Sequence, residues 1–414
     1  MRSLLICLSL LLALGASAAE STTPVFGAGL RPVQRQGEAI VGVYVLNERG
    51  SAAVDQLQPG SASHLLYAFL RLCGPGQLSA DAAACAGQTD FMVAPDPRHG
   101  VFDAAFRRLK VRQPGLQVLA SVGGWGGSDP FFHLVGSSAG RAALVRAMQD
   151  FLRAHPSFDG IDIDWEHPGS NGAANGVQLG SADDGRHFAL LMQELRAGLD
   201  ALGRETGRRY PLTVAVNATA AILDRIDWKG SEPALDLIFV MSYDYHGAWT
   251  PRLGHHTPLR SSRPGADDSL TQSIAHFRRL GVPASKLVAG VGMYGRGFSG
   301  AASDRPGSRR AGLFPPGGEG AMAYREIAER YLDRQGKGRG GFEARFNATQ
   351  QAWHLYDPRR RLYLAYDDPR AVEAKAAFAR EQGLAGVFAW ELTQDNGDLL
   401  NAMNRGAGHL LLPR

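Results

Sequence analysis

Four acidic residues within eight positions form the most unusual segment of the chain. The segment reads Asp159-Gly-Ile-Asp162-Ile-Asp164-Trp-Glu166, and its apolar residues alternate with the acids as in a buried strand. Side chains two positions apart share one face of a strand, so Asp162, Asp164 and Glu166 form a column of carboxylates. Burial and neighbouring like charges raise carboxyl pKa values. The column therefore predicts a proton donor at neutral pH, with Glu166 at its mouth.

The elements that must position this column are eight predicted strands that alternate with helices. Most of the strands are near-continuous apolar runs, which indicates burial on both faces, as in a parallel sheet. Eight such units predict an α/β fold, a (β/α)8 TIM barrel, with a doubly wound open sheet as the alternative. The predicted strands cover residues 39–45, 64–70, 117–122, 159–166, 211–216, 235–242, 286–293 and 386–390, and the predicted helices cover 103–113, 140–155, 185–206, 269–280, 369–381 and 398–404.

The domain organisation follows from the segments outside this alternation. Residues 1–19 combine a basic start, an apolar stretch and small residues, which predicts a signal peptide and soluble secretion to the extracellular space or the periplasm. Residues 20–38 are polar and predict a flexible lead-in. The barrel is assigned to residues 39–298 and 362–414, and the glycine-rich residues 299–361 are a candidate insertion between strand seven and its helix.

The composition excludes some partners. The net charge of +4 comes from scattered basic residues, which argues against a nucleic-acid partner. Beyond the signal, no apolar run approaches the about 20 residues that a membrane span needs. After removal of the signal, the chain keeps Cys73 and Cys85, which either close a short disulfide loop or stay unpaired. A monomer is expected.

Polar and aromatic residues follow several of the predicted strands. Functional residues of a parallel barrel lie at the C-terminal ends of its strands. The motifs at these ends are Ser121-Val-Gly123-Gly124-Trp125 for strand three, Glu166 for strand four, Met241-Ser-Tyr243-Asp244-Tyr245-His246 for strand six, Tyr294-Gly-Arg296 for strand seven and Trp390-Glu391 for strand eight.

Together these motifs resemble glycoside hydrolase family 18, the chitinase family. Its signatures S-x-G-G and D-x-x-D-x-D-x-E are both complete, at residues 121–124 and 159–166, and the similarity extends from about Val41 to Asn396. The resemblance implies a secreted chitinase that hydrolyses β-1,4 linkages between N-acetylglucosamine units. It also implies that residues 299–361 form the small α+β domain that one subgroup inserts after strand seven, where it walls one side of a deep groove.

The resemblance assigns a catalytic role to four residues. Glu166 is the general acid and base, and the N-acetyl oxygen of the substrate acts as nucleophile, so that configuration is retained. Asp164 accepts the acetamido N–H, and Asp162 shares a proton with Asp164. Tyr243 holds the acetamido carbonyl. Asp159, at the start of the strand, is expected to serve loop structure.

Further residues are expected to contact the sugar chain, with the ring of Trp390 beneath the scissile unit. Core packing is the alternative for Tyr44 and Trp249, and a salt bridge to the insertion is the alternative for Arg296. His167 departs from the family, whose members commonly have an aromatic residue after the catalytic glutamate. The predicted substrate-binding residues are Tyr44, Phe69, Trp125, Met241, Asp244, Trp249, Arg296 and Trp390.

Neither a cofactor nor a metal is expected, although carboxylates at this spacing would also suit Mg²⁺ or Ca²⁺. The resemblance gives every acid a role without a metal. Two other functions use the same fold. An endo-acting N-acetylglucosaminidase on glycoprotein glycans would share the machinery, whereas a chitin-binding lectin would lack Glu166. The expected partners are chitin or N-acetylglucosamine oligomers.

Overall fold

The computed structural model describes residues 24–413, so the predicted signal peptide, residues 1–19, lies outside the described part of the chain. Along the chain the strands are β1 (Val33–Gln34), β2 (Ile40–Leu46), β3 (His64–Leu70), β4 (Gln117–Gly123), β5 (Gly160–Asp164), β6 (Leu212–Asn217), β7 (Leu237–Met241), β8 (Leu287–Gly292), β9 (Tyr294–Ser299), β10 (Gly312–Leu313), β11 (Ala321–Ala323), β12 (Glu343–Asn347), β13 (Ala352–Asp357), β14 (Leu362–Tyr366), β15 (Gly386–Trp390) and β16 (Leu410–Leu411).

Eight of these strands form a closed parallel barrel, in the order β15-β2-β3-β4-β5-β6-β7-β8. Strand β15 pairs with β8 on one side and with β2 on the other, where Gly386 lies opposite Ile40. The predicted (β/α)8 barrel is therefore confirmed. The open-sheet alternative is wrong, because β15 closes the sheet on itself.

Helices surround the barrel, and their apolar faces pack onto the outer side of its strands. Helix α10 begins where Pro369 occupies the first turn and Asp368 accepts from the amides of Arg370 and Ala371. The α-helices are α1 (Ala52–Asp55), α2 (Arg98–Arg112), α3 (Asp129–Leu134), α4 (Ser138–Ala154), α5 (Asp184–Thr206), α6 (Ala220–Leu223), α7 (Trp228–Ser231), α8 (Leu270–Arg279), α9 (Tyr324–Tyr331), α10 (Pro369–Glu381) and α11 (Asp398–Gly406). Short 3₁₀ turns cover Asn47–Arg49, Ser79–Asp81, Glu232–Ala234, Ala284–Lys286, Gly318–Gly320 and Leu392–Gln394.

Several helices differ from the sequence prediction. Helix α2 begins at Arg98 rather than at residue 103, because its first turn has no side-chain cap and no apolar stripe that would mark it. The short helices α1, α3, α6, α7 and α9 have no counterpart in the prediction, since four to eight residues are too few to show a helical period.

A second sheet follows β8 and lies outside the barrel. Its strands pair antiparallel in the order β10-β9-β14-β13-β12, and β11 adds to β9. Helix α9 packs on one face, where Ile327 approaches Gly295. Because β9 and β14 belong to this sheet, residues 294–298 and 362–366 do not belong to the barrel to which they were assigned. The predicted boundaries at 299 and 361 are therefore too narrow.

The lead-in is attached to the far end of the chain. Strand β1 pairs with β16, and the amides of Gly27 and Ala28 donate to the carboxylate of Asp398. The prediction of a flexible segment is wrong for residues 24–38, because these contacts join elements more than 300 positions apart and leave no local pattern in the sequence.

Cys73 and Cys85 form a disulfide, which closes the loop after β3. The pairing that the sequence left open is therefore present.

Among residues 24–413, no helix has both the length and the apolar character needed to cross a membrane.

Candidate active site

Strand β5 carries the acidic column, but it is shorter than predicted. It ends at Asp164, so Glu166 lies two residues beyond the strand. The alternation holds, because Ile161, Ile163 and Trp165 join the core between barrel and helices. Asp162 and Asp164 are buried on the other side, which is the interior of the barrel.

Asp159, just before β5, forms hydrogen bonds to residues of α2, of β4 and of the segment after α5. Its carboxylate accepts from Lys110 Nζ at 2.5 Å, from Arg208 Nη2 at 3.0 Å and from the amide of Val118 at 2.7 Å. These contacts agree with the structural role expected for Asp159.

Asp162 lies at the bottom of the column and is fully buried. Three hydroxyl groups donate to its carboxylate: Tyr44 Oη at 2.8 Å, Ser121 Oγ at 2.7 Å and Thr213 Oγ1 at 2.6 Å. Burial raises the pKa of Asp162, and the three hydrogen bonds oppose this rise. Asp162 is therefore held in one orientation by three different strands.

Asp164 lies above Asp162 and lacks such support. Its Oδ1 is buried and has no hydrogen-bond partner among residues 24–413. Burial raises the pKa of Asp164 well above its ordinary value, and the charges of Glu166 and Asp162 add to the rise. Asp164 thus has a free acceptor or donor atom within the barrel mouth.

Glu166 stands at the barrel mouth, where 15% of its side chain is exposed. Burial, followed by the negative charge of Asp244, raises the pKa of Glu166 to about 8. Its amide donates to Ser128 Oγ at 3.1 Å, which ties the residue to the start of α3. A carboxyl group with this pKa is protonated at neutral pH and can act as a general acid.

The charge of Asp244 is stabilised by the guanidinium of Arg296. Arg296 donates to both carboxylate oxygens, with Nε at 2.9 Å and Nη2 at 2.8 Å. Burial alone would raise the pKa of Asp244, but Arg296 and the nearby ring of His256 outweigh it and hold this pKa well below its ordinary value. Asp244 is therefore an anion that faces Glu166. The guanidinium of Arg296 also bonds Glu319 of the insertion at 3.2 Å, so the alternative role predicted for Arg296, a salt bridge to the insertion, is present.

Tyr243 lies between this ion pair and the acidic column. Its ring packs edge-on against Tyr294 and Phe388, with centroids 6.2 Å away in each case. Burial and then the charges of Asp164 and Glu166 raise the pKa of Tyr243 well above its ordinary value. The phenol therefore keeps its proton and is a hydrogen-bond donor at the mouth.

The aromatic residues predicted to contact the sugar chain differ in how exposed their rings are. Phe69 and Trp390 stack at 5.7 Å, while Trp125 and Trp249 are exposed over 56% and 55% of their surface. Tyr44 is only 1% exposed, because Phe69, Phe388 and Trp390 enclose its ring. The structure therefore contradicts direct sugar stacking by Tyr44, whose hydroxyl instead orients Asp162. Met241 is half-buried and packs against the aromatic cluster inside the barrel.

His167 lies beside the general acid. Its Nε2 is 3.6 Å from Oε2 of Glu166, and its ring centroid is 6.5 Å from that of Trp125. Burial, and secondarily the charge of Arg225, lowers the pKa of His167 to about 4. The imidazole is therefore neutral at neutral pH and adds no charge beside Glu166.

Three residues at the site were not predicted from the sequence. Thr213 is a polar residue inside the apolar strand β6, which is the one local signal that could have indicated it. Arg71 donates to the carbonyl of Gly123 at 2.7 Å, and its charge opposes the pKa rise of Asp164. Ser128 bonds the backbone of Glu166. Neither Arg71 nor Ser128 has a local signal in the sequence, because their partners, Gly123 and Glu166, lie on other segments of the chain.

Binding of Mg²⁺ or Ca²⁺ is the alternative role for the acids. Within the described range, 24–413, no group of three or more His, Cys, Asp or Glu side chains is arranged to hold a metal ion.

Two proteins with similar sequences carry chitinase names. Chitinase A of Pseudoalteromonas piscicida is 35% identical over 85% of this chain, and the chain spans 50% of its length. A probable endochitinase of Orgyia pseudotsugata multicapsid polyhedrosis virus is also 35% identical over 85% of this chain, which covers 68% of the viral protein.

Solved structures agree in fold. A family 18 N-acetylglucosaminidase from Paenibacillus barengoltzii is 27% identical, with a TM-score of 0.74 over 89% of this chain and 99% of that one. A family 18 chitinase from Cycas revoluta, solved in complex with (GlcNAc)3, gives a TM-score of 0.74 at 24% identity, over 89% of this chain and all of that one. The family model described as Glycosyl hydrolases family 18 matches residues 40–395, which include every element of the site. The chain belongs to glycoside hydrolase family 18.

Proposed function

We propose that the protein is a secreted chitinase, which hydrolyses β-1,4 linkages between N-acetylglucosamine units and retains the anomeric configuration. Its family and its chitinase relatives support the substrate class. The observation that carries the proposal is the pKa of about 8 at Glu166, which supplies a protonated acid at the mouth of the barrel.

The first step forms a ring within the substrate. Glu166 donates its proton to the glycosidic oxygen, and the bond from C1 to that oxygen breaks. The acetamido oxygen of the same sugar bonds to C1, which gives an oxazolinium intermediate. Glycoside hydrolases of this family are substrate-assisted and do not use a carboxylate nucleophile.

Asp164 and Tyr243 position the acetamido group for this attack. Asp164 accepts the acetamido N–H through Oδ1, which has no hydrogen-bond partner in the part of the chain that the structure describes. Tyr243, which keeps its proton, donates to the acetamido oxygen. Holding a nucleophile in a near-attack geometry replaces an encounter in solution by an intramolecular step.

The second step reverses the proton transfer. The Glu166 carboxylate takes a proton from water as the water oxygen bonds to C1. The bond between C1 and the acetamido oxygen breaks, so the N-acetyl group is restored. Two inversions at C1 give net retention, and Glu166 ends protonated.

The test uses soluble oligomers of N-acetylglucosamine together with glucose oligomers of the same length and linkage. Hydrolysis of the first and not of the second is expected, because only an N-acetyl group supplies the nucleophile. Proton NMR of the fresh product should show the β-anomer. Products with the α-anomer, or equal cleavage of glucose oligomers, would contradict the proposed mechanism.

Glycoprotein glycans as a third substrate, together with a binding measurement on the oligomers, separate the alternatives. An endo-acting N-acetylglucosaminidase would cleave glycoprotein glycans faster than chitin oligomers, and a lectin would bind oligomers without turnover.

Secretion is part of the proposal and is supported by the signal-peptide pattern of residues 1–19. A mass spectrum of the exported protein should show a mature chain that lacks this segment, whereas retention of Met1 in exported protein would contradict it.

A further inference from the structure

The exposed ring of Trp249 is carried by the loop between β7 and α8. It lies against Gly247, where an added Cβ would come within 2.4 Å of the ring. The guanidinium of Arg296 lies 5.1 Å from the ring centroid, so Trp249 adjoins the ion pair of Asp244 and Arg296. More than half of the Trp249 surface is open to solvent, as a stacking platform for a sugar requires.

Arg310, a residue of the insertion, binds the backbone of this loop directly before and directly after Trp249. Arg310 Nη2 donates to the carbonyl oxygen of Ala248 at 2.5 Å, and its Nε donates to that of Thr250 at 2.8 Å. Its guanidinium also lies 5.2 Å from the ring centroid of Phe298, on β9. The two carbonyls that Arg310 binds belong to the residues immediately before and after Trp249.

Backbone contacts join the same two segments further along the loop. The amide of Leu253 donates to the carbonyl of Ser308 at 2.8 Å, and the amide of Gly307 donates to the carbonyl of Leu253 at 2.8 Å. The Leu253 side chain is buried with Phe298 and Tyr363. These contacts anchor the end of the loop. Nearer the ring, Thr250 bonds Gly247 within the loop through its amide and its hydroxyl, and Arg310 supplies the hydrogen bonds to the carbonyls of Ala248 and Thr250.

We propose that Arg310 is a positioning residue that fixes Trp249 as a sugar-binding platform by holding the carbonyls of Ala248 and Thr250. Arginine suits this task because its planar fork presents two donors in fixed directions, whereas lysine presents a single ammonium. The insertion thus contributes to substrate binding through a barrel loop. This inference rests on the proposed function, since it assigns Trp249 to the sugar chain.

A double-mutant cycle tests the inference with the full-length protein. Arg310→Ala should raise KM for N-acetylglucosamine hexamer about five- to twentyfold while kcat changes less than about twofold, because two hydrogen bonds that order the platform are lost. In the Trp249→Ala background the same change should alter KM less than about twofold, since the platform is already absent. Arg310→Lys should lie between the parent and Arg310→Ala.

The matched control is Arg309→Ala, which removes the same charge from the neighbouring residue. The side chain of Arg309 is exposed and makes no hydrogen bond or ion pair within residues 24–413, so KM should stay at the parent value. An equal rise in KM for Arg310→Ala in both backgrounds, or no rise in the parent background, would overturn the inference.

A second measurement does not depend on turnover. Hydrogen exchange of a peptide that covers residues 245–256 should become faster in Arg310→Ala and stay unchanged in Arg309→Ala, because the amide of Thr250 bonds within this loop. Unchanged exchange in Arg310→Ala would overturn the inference whether or not the protein cleaves chitin. If exchange responds but no oligomer is hydrolysed or bound, the proposed function fails and the inferred platform role fails with it, while the contact between Arg310 and the loop stands.

Discussion

The hydroxyl of Thr213 on β6 donates a 2.6 Å hydrogen bond to Oδ1 of Asp162 on the neighbouring strand β5. Tyr44 and Ser121 bond the other oxygen, Oδ2. Thr213 is therefore the one side chain of the three that serves Oδ1, and Asp162 has no access to water that could replace it.

Replacement of Thr213 by valine keeps the shape of the side chain and removes its hydroxyl. We expect Thr213→Val to destabilise the fold by about 1–3 kcal/mol, because a buried carboxyl oxygen loses its hydrogen-bond donor. Urea unfolding measures this change. Thr213→Ser, which keeps the hydroxyl, is the matched control. Equal stability of the valine and serine variants would show that this hydrogen bond does not hold Asp162.

The pH dependence of activity should reveal the charge of Asp244. Glu166 donates a proton only in its acid form, so kcat/KM should fall as the pH rises through about 8. Asp244→Asn removes a negative charge that raises the pKa of Glu166, so the alkaline limb of the residual activity should move to lower pH. Asp224→Asn, an exposed acid that pairs with His276, is the control and should leave the limb in place. An alkaline limb that stays in place or moves upward in Asp244→Asn contradicts this electrostatic account.

The pH dependence of the free energy of unfolding should also reveal the raised pKa of Glu166. The pKa of Glu166 is higher in the folded than in the unfolded chain, so its contribution to stability is full below about pH 4.3 and is lost as the pH rises through about 8. Glu166→Gln does not titrate at this position. We therefore expect its stability, relative to the parent, to increase between about pH 4.3 and pH 8 and to level off above that range.

Chemical denaturation at a series of pH values measures this difference. Glu205→Gln is a suitable control, because the hydrogen bond from Arg153 lowers the pKa of Glu205 and places its titration below this range. A difference between Glu166→Gln and the parent that does not depend on pH would mean that Glu166 titrates normally in the folded protein.

The sequence predicted the barrel and the acidic column because both have local patterns. Apolar runs mark strands that are buried on both faces, and the two-residue period of Asp162 and Asp164 places them on one side of β5. The motif order also placed Glu166, Tyr243 and Asp244 after the C-terminal ends of two barrel strands, and their charges act on one another in the structure.

The contacts of these residues could not be predicted in the same way. The hydroxyl of Thr213 and the guanidinium of Arg71 reach the acids from other strands, and the register between strands sets those distances. The burial of Tyr44 depends on rings from three other segments. The second sheet is larger than the predicted insertion, because it includes β9 and β14. The sequences of these two strands resemble barrel segments, and only their antiparallel pairing assigns them to the second sheet.

The most direct test of the account is the rate of hydrolysis of N-acetylglucosamine oligomers by Glu166→Gln. Glutamine has nearly the same shape but cannot donate the proton, so kcat should fall by about 10² to 10⁴ while the oligomer still binds. His167→Gln, which changes the adjacent residue but no reacting group, is expected to retain a much larger share of the parent rate. A Glu166→Gln variant that turns over at the parent rate would contradict the assignment of Glu166 as the general acid, and with it the proposed mechanism.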